Sequence, residues 1–165
     1  MGMRIPPAVV LAAAAAGQRV VARRGRRTAG SVLASAAIAG LSGALALEGV
    51  AEFARHRTTV DPGGVERASA LVTTGPSALT RNPMYAGMLG LLVARAVSRR
   101  SGAALLPALG FWWVIDRFQI PAEEEALAER FGQEYADYCE RVPRWLWRGE
   151  AYSRKPAGSR EEPRC

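Results

Sequence analysis

Several residue types that build soluble functional sites are nearly absent from this chain of 165 residues. It has one histidine and two cysteines, too few for a structural zinc site or a framework of disulfides. Only Lys155 among the 22 basic residues is a lysine, and no Gly-x-Gly-x-x-Gly sequence marks a dinucleotide-binding domain. We therefore expect neither a metal site nor a Rossmann-type domain.

Charged residues are also missing from two long stretches of the chain. Thr28 to Leu47 and Ser101 to Ile115 contain none, whereas Arg23 to Arg27 hold four arginines. The net charge is +7, and the mean hydropathy of −0.01 is an average over apolar blocks bordered by arginine. Basic residues at the ends of apolar segments are typical of membrane proteins, while nucleic-acid-binding surfaces interleave basic and aromatic residues. The composition predicts a protein that contacts the lipid bilayer and no nucleic acid.

Four apolar segments are candidate membrane-crossing helices. Thr28 to Leu47 is the clearest, because twenty helical residues are about 30 Å long, the thickness of the bilayer core. The others are Ile5 to Gln18, Met84 to Ala94 and Gly102 to Ile115, of which the last two are expected to form an antiparallel helical hairpin. The predicted fold class is all-α, a multi-pass transmembrane bundle of about four spans in the cell membrane.

Three features of these segments admit two interpretations. The first segment suits a retained anchor, but its small residues at Ala14 to Ala16 also fit a signal peptide. Glu48 and Glu52 end the clearest span and are expected at the interface, although a small transporter would also have buried carboxylates there. The positive-inside rule places the arginine-rich turns at 23–27 and 95–100 in the cytoplasm, whereas the resemblance described below places the C-terminal half there.

An amphipathic helix is predicted from Pro121 to about Arg141. Its apolar face is formed by Leu127, Phe131, Tyr135, Tyr138 and Val142. Glu123 and Glu124 lie at its start and point toward that face, although the helix dipole alone also explains carboxylates there. The chain is thereby divided into N-terminal membrane helices (1–54), a core (55–148) and a tail predicted to be disordered (149–165).

A loop that enters a helix is predicted between Leu71 and Gly87. Pro83 suits the first turn of a helix, where its missing N–H has no cost. Free backbone N–H groups at such a helix start can hold a polar or anionic ligand, and Met84 and Tyr85 add an apolar surface. An ordinary helix that begins with proline explains the same residues.

Two motifs within these regions resemble those of a known superfamily. R-N-P-M-Y-A-G begins at Arg81, and E-E-x-x-L-x-x-x-F-G-x-x-Y-x-x-Y-x-x-x-V-P-R-W begins at Glu123. Together they resemble the isoprenylcysteine carboxyl methyltransferase and phospholipid methyltransferase superfamily, over about Thr58 to Trp147. The resemblance implies an integral membrane enzyme that binds S-adenosylmethionine without a Rossmann domain. Its methyl acceptor would be lipophilic or prenylated, either an isoprenylcysteine-like carboxylate or a phospholipid amine.

The resemblance also implies the residues of the site, with the amphipathic helix completing the cofactor pocket. The implied cofactor-binding residues are Ser69, Ala70, Leu71, Val72, Asn82, Pro83, Met84, Tyr85, Glu123 and Glu124. If the reaction needs a base, Glu124 and Tyr135 are the candidate catalytic residues.

The sequence departs from the superfamily pattern in two places. Ser77 and Ala78 stand where many members have an aromatic residue followed by arginine. Gln119 stands where the carboxyl-methylating branch has an arginine, with Arg117 nearby, and these two are the predicted acceptor contacts. The departures motivate one alternative, a member that binds cofactor or lipid without turnover. A small four-helix transporter is another.

Overall fold

The computed structural model of the protein describes residues 6–22, 25, 27–55 and 70–147. All regular structure in these ranges is helical, as predicted. The helices are α1 (Pro7–Val21), α2 (Ala29–Arg55), α3 (Pro83–Arg99), α4 (Leu105–Val114), α5 (Ile120–Phe131) and α6 (Gln133–Arg141). A π-helical segment, Ile115–Gln119, joins α4 to α5, and 3-10 turns lie at Gly75–Ala78 and Gly102–Ala104. Ser69 and the predicted tail at 149–165 lie outside the described residues.

One described helix is long and apolar enough to cross a bilayer by its length and composition. It is α2, over Ala29–Glu52. The helices α1, α3 and α4 correspond to the other three predicted spans and have 15, 17 and 10 residues. The structure therefore confirms the all-helical fold, while the antiparallel hairpin of α3 and α4 and the four spans stay predictions.

The helices α2 and α3 pack closely and run antiparallel. An added Cβ on Gly87 of α3 would stand 2.6 Å from the backbone oxygen of Ser42 and 2.7 Å from the Cβ of Ala46. One turn further along α3, Gly90 faces the same Ser42, while Pro83 at the start of α3 lies against Gly49 near the end of α2. Glycine at these positions lets the two backbones approach, as small residues do in membrane helix pairs.

The helix α1 is joined to the bundle through a buried amide. Gln18 is fully buried, and its Nε2 donates to the backbone oxygens of Leu92, at 2.9 Å, and Ala104, at 2.8 Å. Because a polar group removed from water must be hydrogen-bonded, these bonds fix α1 against α3 and the start of α4. The apolar core of the bundle is formed by Ala14, Tyr85, Ala86, Leu92, Ala108, Phe111, Ile115, Ile120 and Trp145.

The helix predicted to begin at Pro121 instead continues from α4 through the π-helical segment. Gln119 and Ile120 both have helical backbone angles, with φ −80° and ψ −55° at the first and φ −60° and ψ −45° at the second. Pro121 has no N–H to donate to the preceding turn, and a wider π turn accommodates that missing bond. Glu123 to Glu125 are therefore not at a free helix N-terminus, and the dipole explanation does not apply to them.

The predicted C-terminal helix is divided in two at Gly132. This residue has φ +50°, in the left-handed range that glycine enters without the steric cost of a Cβ. The amphipathic face itself is confirmed, since Tyr135, Tyr138 and Val142 are buried in one cluster to which α5 adds Leu127 and Phe131.

Candidate functional site

The loop that precedes α3 passes between the end of α2 and α6. Val72 is 5% exposed, and Leu71 packs against the tyrosine cluster of α6. The 3-10 turn Gly75–Ala78 begins with φ +57° at Gly75. Behind it, the hydroxyl of Tyr138 donates to the backbone oxygen of Ser77 at 2.6 Å. The loop is therefore held at its turn by a buried hydrogen bond from α6.

Residues 142–147, which we name the C-terminal strap, lie across the junction between this loop and α3. The backbone N–H of Arg81 donates to the oxygen of Pro143 at 2.9 Å. The backbone oxygen of Arg144 accepts from Thr80 Oγ1 at 2.8 Å and from Asn82 Nδ2 at 3.1 Å. Asparagine before a helix usually caps it with its side chain, but Asn82 makes no such bond and uses its amide on the strap.

A buried ionic cluster lies beneath the strap. Glu124 accepts from Arg144 Nε at 3.1 Å and from Arg144 Nη2 in a shorter bond, and it forms an ion pair with Arg81, whose Nη2 lies 3.1 Å from Oε1. Asp116, on the π segment, accepts from Arg144 Nη1 at 3.4 Å and from Trp145 Nε1 at 2.8 Å. Burial lowers the pKa of the Arg144 guanidinium, but the bonds to Glu124 and Asp116 outweigh it and raise that pKa above its ordinary value.

Two donor nitrogens of this cluster have no hydrogen-bond partner among the residues that the structure describes. The Arg81 side chain is only 9% exposed, and its Nε and Nη1 are buried without an acceptor. A buried guanidinium that leaves donors unsatisfied is costly, and the cost is removed when an anionic or carbonyl oxygen binds there. Arg81 therefore presents two donors suited to an anionic ligand group.

A second network surrounds Glu123, the neighbour of Glu124. Its Oε1 accepts from the Tyr85 hydroxyl and from Gln119 Nε2, both at 2.6 Å. Consecutive helical residues point about 100° apart, so the paired glutamates enter different networks. Glu123 connects α5 to the start of α3, while Glu124 connects it to the strap.

The structure brings most of the predicted site residues together around these two networks. The members in or beside them are Asn82, Pro83, Tyr85, Gln119, Glu123, Glu124 and Tyr135. Leu71 packs against the tyrosine cluster of α6, and Val72 is buried in the loop. Ala70 and Met84 lie in the same segments and are partly buried. Arg117 does not join them, because its side chain is 68% exposed and its Nε lies 3.9 Å from Asp116 Oδ2.

The two candidate bases lie in different surroundings. Tyr135 is 1% exposed, and burial, with the nearby Glu124 carboxylate, raises the pKa of its phenol above the ordinary value. Both oxygens of Glu124 are engaged by arginine. At neutral pH Tyr135 is thus a protonated donor, and Glu124 acts as a counter-charge to two cations.

Four residues of the site were missed as site residues by the sequence reasoning: Arg81, Asp116, Arg144 and Trp145. Arg81, Arg144 and Trp145 lie inside the two motifs, and their positions in those motifs could have indicated them as site residues. Asp116 had a weaker signal, as the first charge after the uncharged stretch that ends at Ile115. Among the described residues, no group of His, Cys, Asp or Glu could hold a metal ion.

An apolar groove of about 300 Å³ lies between α3 and α4, beside the strap. It is lined by Leu89, Val93, Leu105, Ala108, Leu109, Trp112 and Trp147. Trp147 stacks on Trp145, with ring centroids 6.0 Å apart, and Trp145 bonds to Asp116. The groove is thereby joined to the ionic cluster through two stacked indoles.

Comparison with known proteins identifies the family. The family model described as phospholipid methyltransferase matches residues 31–134, which include most of α2, all of α3, the π segment and both glutamates. The chain belongs to this family. It is a membrane-associated methyltransferase, and the resemblance drawn from the motifs is confirmed.

Two curated relatives share parts of the chain. An uncharacterized protein of Haemophilus influenzae is 40% identical over 63 residues, which are 38% of this chain and all of that protein. Protein-S-isoprenylcysteine O-methyltransferase B of Arabidopsis thaliana is 36% identical over 81 residues, 47% of this chain. The alignment spans only 40% of the length of the plant protein. No solved structure matches significantly.

Proposed function

We propose that this protein is a multi-pass membrane methyltransferase that transfers a methyl group from S-adenosylmethionine to a lipophilic acceptor. The observation that carries the proposal is the buried cluster of Arg81, Glu124 and Arg144 beside the Glu123–Tyr85 pair. It lies where the loop, α3, α5 and the strap meet, so a ligand there touches both motifs at once.

The charges of this cluster fit the proposed cofactor. The unpartnered Nε and Nη1 of Arg81 suit the carboxylate of its amino-acid portion. Glu123 offers negative charge for its amine or ribose hydroxyls, and residues 70–72 would line the nucleoside. When bound, the cofactor supplies a methyl group that its sulfonium leaving group already activates.

The groove between α3 and α4 suits the tail of a lipophilic acceptor. Its lining is apolar throughout, and it leads through Trp147 and Trp145 to the ionic cluster. An acceptor whose tail occupies the groove would present its polar head near Asp116 and Arg144. An isoprenylcysteine-like carboxylate and a phospholipid amine both fit this arrangement.

The contribution of the protein to the rate would be positioning and exclusion of water. The strap covers the cluster, and its Trp145 is 5% exposed. A carboxylate acceptor needs no base. An amine acceptor must lose a proton, and Glu123 is a candidate base beside the predicted Glu124 and Tyr135. Glu124 is held by two arginines, and the raised pKa of Tyr135 keeps its phenol protonated.

Calorimetric titration of the detergent-purified protein with S-adenosylmethionine tests the cofactor proposal. We expect saturable binding by the wild type and a loss of at least tenfold in affinity for Glu123→Ala. The matched control is Glu125→Ala, an exposed glutamate on the same helix, which should bind as the wild type does. Absence of binding by the wild type would overturn the proposal.

A screen with methyl-labelled cofactor then identifies the acceptor. The candidate acceptors are total membrane lipids, prenylcysteine analogues and small thiols. Label in a lipid or a prenylcysteine supports the proposed enzyme. Cofactor binding without labelled product from any of them would instead favour a family member that binds without turnover.

A further inference from the structure

The end of α2 carries a buried carboxylate that the proposed reaction does not use. Glu52 is 8% exposed and accepts a short hydrogen bond from the Thr74 hydroxyl. Its other oxygen accepts from Arg55 Nη1 at 2.5 Å. Glu48, one turn earlier, also contacts Arg55, but its side chain is 57% exposed. A carboxylate removed from water is costly unless such partners satisfy it, so Glu52 depends on Thr74 in a way that Glu48 does not.

Thr74 joins the end of α2 to the turn of the loop. While its hydroxyl donates to Glu52, its backbone oxygen accepts from the Ser77 N–H at 3.1 Å. The next residue, Gly75, has φ +57°, and a Cβ added there would stand 3.4 Å from the Glu52 Cδ. The backbone of the turn therefore lies directly against the carboxylate, in a conformation that suits glycine.

The same turn is held on its other side by α6. The Tyr138 hydroxyl donates to the Ser77 oxygen at 2.6 Å, and both residues are buried. Residues 70–72, which precede the turn, are those that we assign to the nucleoside of the cofactor. Two described hydrogen bonds thus hold this segment from opposite sides, one from Tyr138 of α6 and one from Thr74 to Glu52 of α2.

We propose that Glu52 is a positioning residue, whose hydrogen bond with Thr74 fixes the cofactor-binding loop to the end of the membrane helix α2. This inference rests on the proposed function for the identity of the ligand. Glu52 acts through Thr74 and does not contact the cofactor. Loss of the bond should therefore weaken cofactor binding and raise the KM for the cofactor, while kcat at saturating cofactor is kept.

Calorimetric titration of the detergent-purified protein with S-adenosylmethionine tests the consequence for binding. Thr74→Val and Glu52→Ala should each weaken binding on the order of tenfold, the cost of one hydrogen bond to a charged group. The double variant should bind no more weakly than either single variant, because both remove the same bond. Glu52→Gln keeps an acceptor oxygen for Thr74 and should bind within about threefold of the wild type.

The control for these variants is Glu48→Ala, which should bind as the wild type does. Binding by Thr74→Val at wild-type affinity, or a double variant with the summed loss, would overturn the positioning role alone. Absence of binding by the wild type would overturn the proposed function and, with it, this role.

Amide hydrogen exchange of the cofactor-free protein gives a readout that does not depend on the ligand. In Thr74→Val the Ser77 and Leu79 amides, which bond within the turn, should exchange faster than in the wild type. Amides of α4 should be unaffected. Unchanged exchange in the turn would overturn the inference even if binding were weakened.

Discussion

The two ends of α3 both carry arginine, but their surroundings differ. At the C-terminal end, Arg100 is exposed and has φ 49°, beside the Arg99 oxygen that accepts from Gly25. At the N-terminal end, the Arg81 side chain is 9% exposed and pairs with Glu124. An arginine next to an apolar segment can thus lie at the membrane surface or belong to a buried ligand-binding site. What distinguishes Arg81 is burial against a carboxylate that a distant part of the chain supplies.

Removal of the Glu124 carboxylate should give the largest loss of stability. In Glu124→Gln, Arg81 and Arg144 lose the counter-charge of a buried cluster, which costs about 3–5 kcal/mol of unfolding free energy. Denaturant titration in detergent measures the change. Glu125→Gln, at the exposed neighbouring position, should unfold as the wild type does. Equal stability of Glu124→Gln and the wild type would show that the two ends of α3 do not differ in this way.

The close packing of α2 on α3 lies between the two ends of α3, and disturbing it should give the next largest loss of stability. In Gly87→Ala the new methyl group would overlap the Ser42 backbone and Ala46, which should cost about 1–3 kcal/mol. Gly110→Ala in α4 meets nothing within 4 Å and should be neutral or stabilising by up to about 1 kcal/mol. The same titration compares them, and similar losses in both variants would contradict the close helix contact.

A smaller effect, on cofactor binding alone, is expected from the Glu123 network at the N-terminal end of α3. Tyr85→Phe removes only the hydroxyl that lies 2.6 Å from Glu123 and should weaken S-adenosylmethionine binding on the order of tenfold. Calorimetry measures this, with Arg100→Ala at the opposite end of α3 as the variant expected to bind normally. Unaltered binding by Tyr85→Phe would remove Tyr85 from the site.

The smallest effect is expected at Arg117, which the sequence predicted as an acceptor contact. Its side chain is 68% exposed, so Arg117→Ala should keep turnover of labelled cofactor within about twofold of the wild type. Arg144→Ala, which empties the centre of the buried cluster, should reduce turnover far more. A tenfold loss in Arg117→Ala would restore it as an acceptor contact.

Much of the fold was predictable from local pattern. Uncharged stretches predicted α2 and α4, Pro83 predicted the start of α3, and helical periodicity placed Tyr135 and Tyr138 on one buried face. The continuation of α4 into α5 was not predictable in this way. A proline followed by the glutamates at 123–125 also occurs where a helix truly begins. Only the π segment shows that the helix here continues from α4 through Pro121.

The site was predictable as a set of segments and not as a set of contacts. The motifs contained Arg81 and Arg144, yet nothing local indicated that the first is buried or that the second pairs with Glu124. Arg117 lies near the expected position in sequence but points outward. Its direction depends on the phase of the helix, which the π segment shifts.

The sequence by itself determined which segments are helical, which are apolar, and the order of the two methyltransferase motifs, because these depend on neighbours within a few turns. The tertiary structure decided that the strap folds over residues 80–82, that Glu123 and Glu124 enter separate networks, and that Glu52 meets Thr74. Apart from the bond between Gln119 and Glu123 within one helical turn, those contacts join residues 20 to 64 positions apart. Their formation depends on how the helices pack, a property of the whole chain that no single segment encodes.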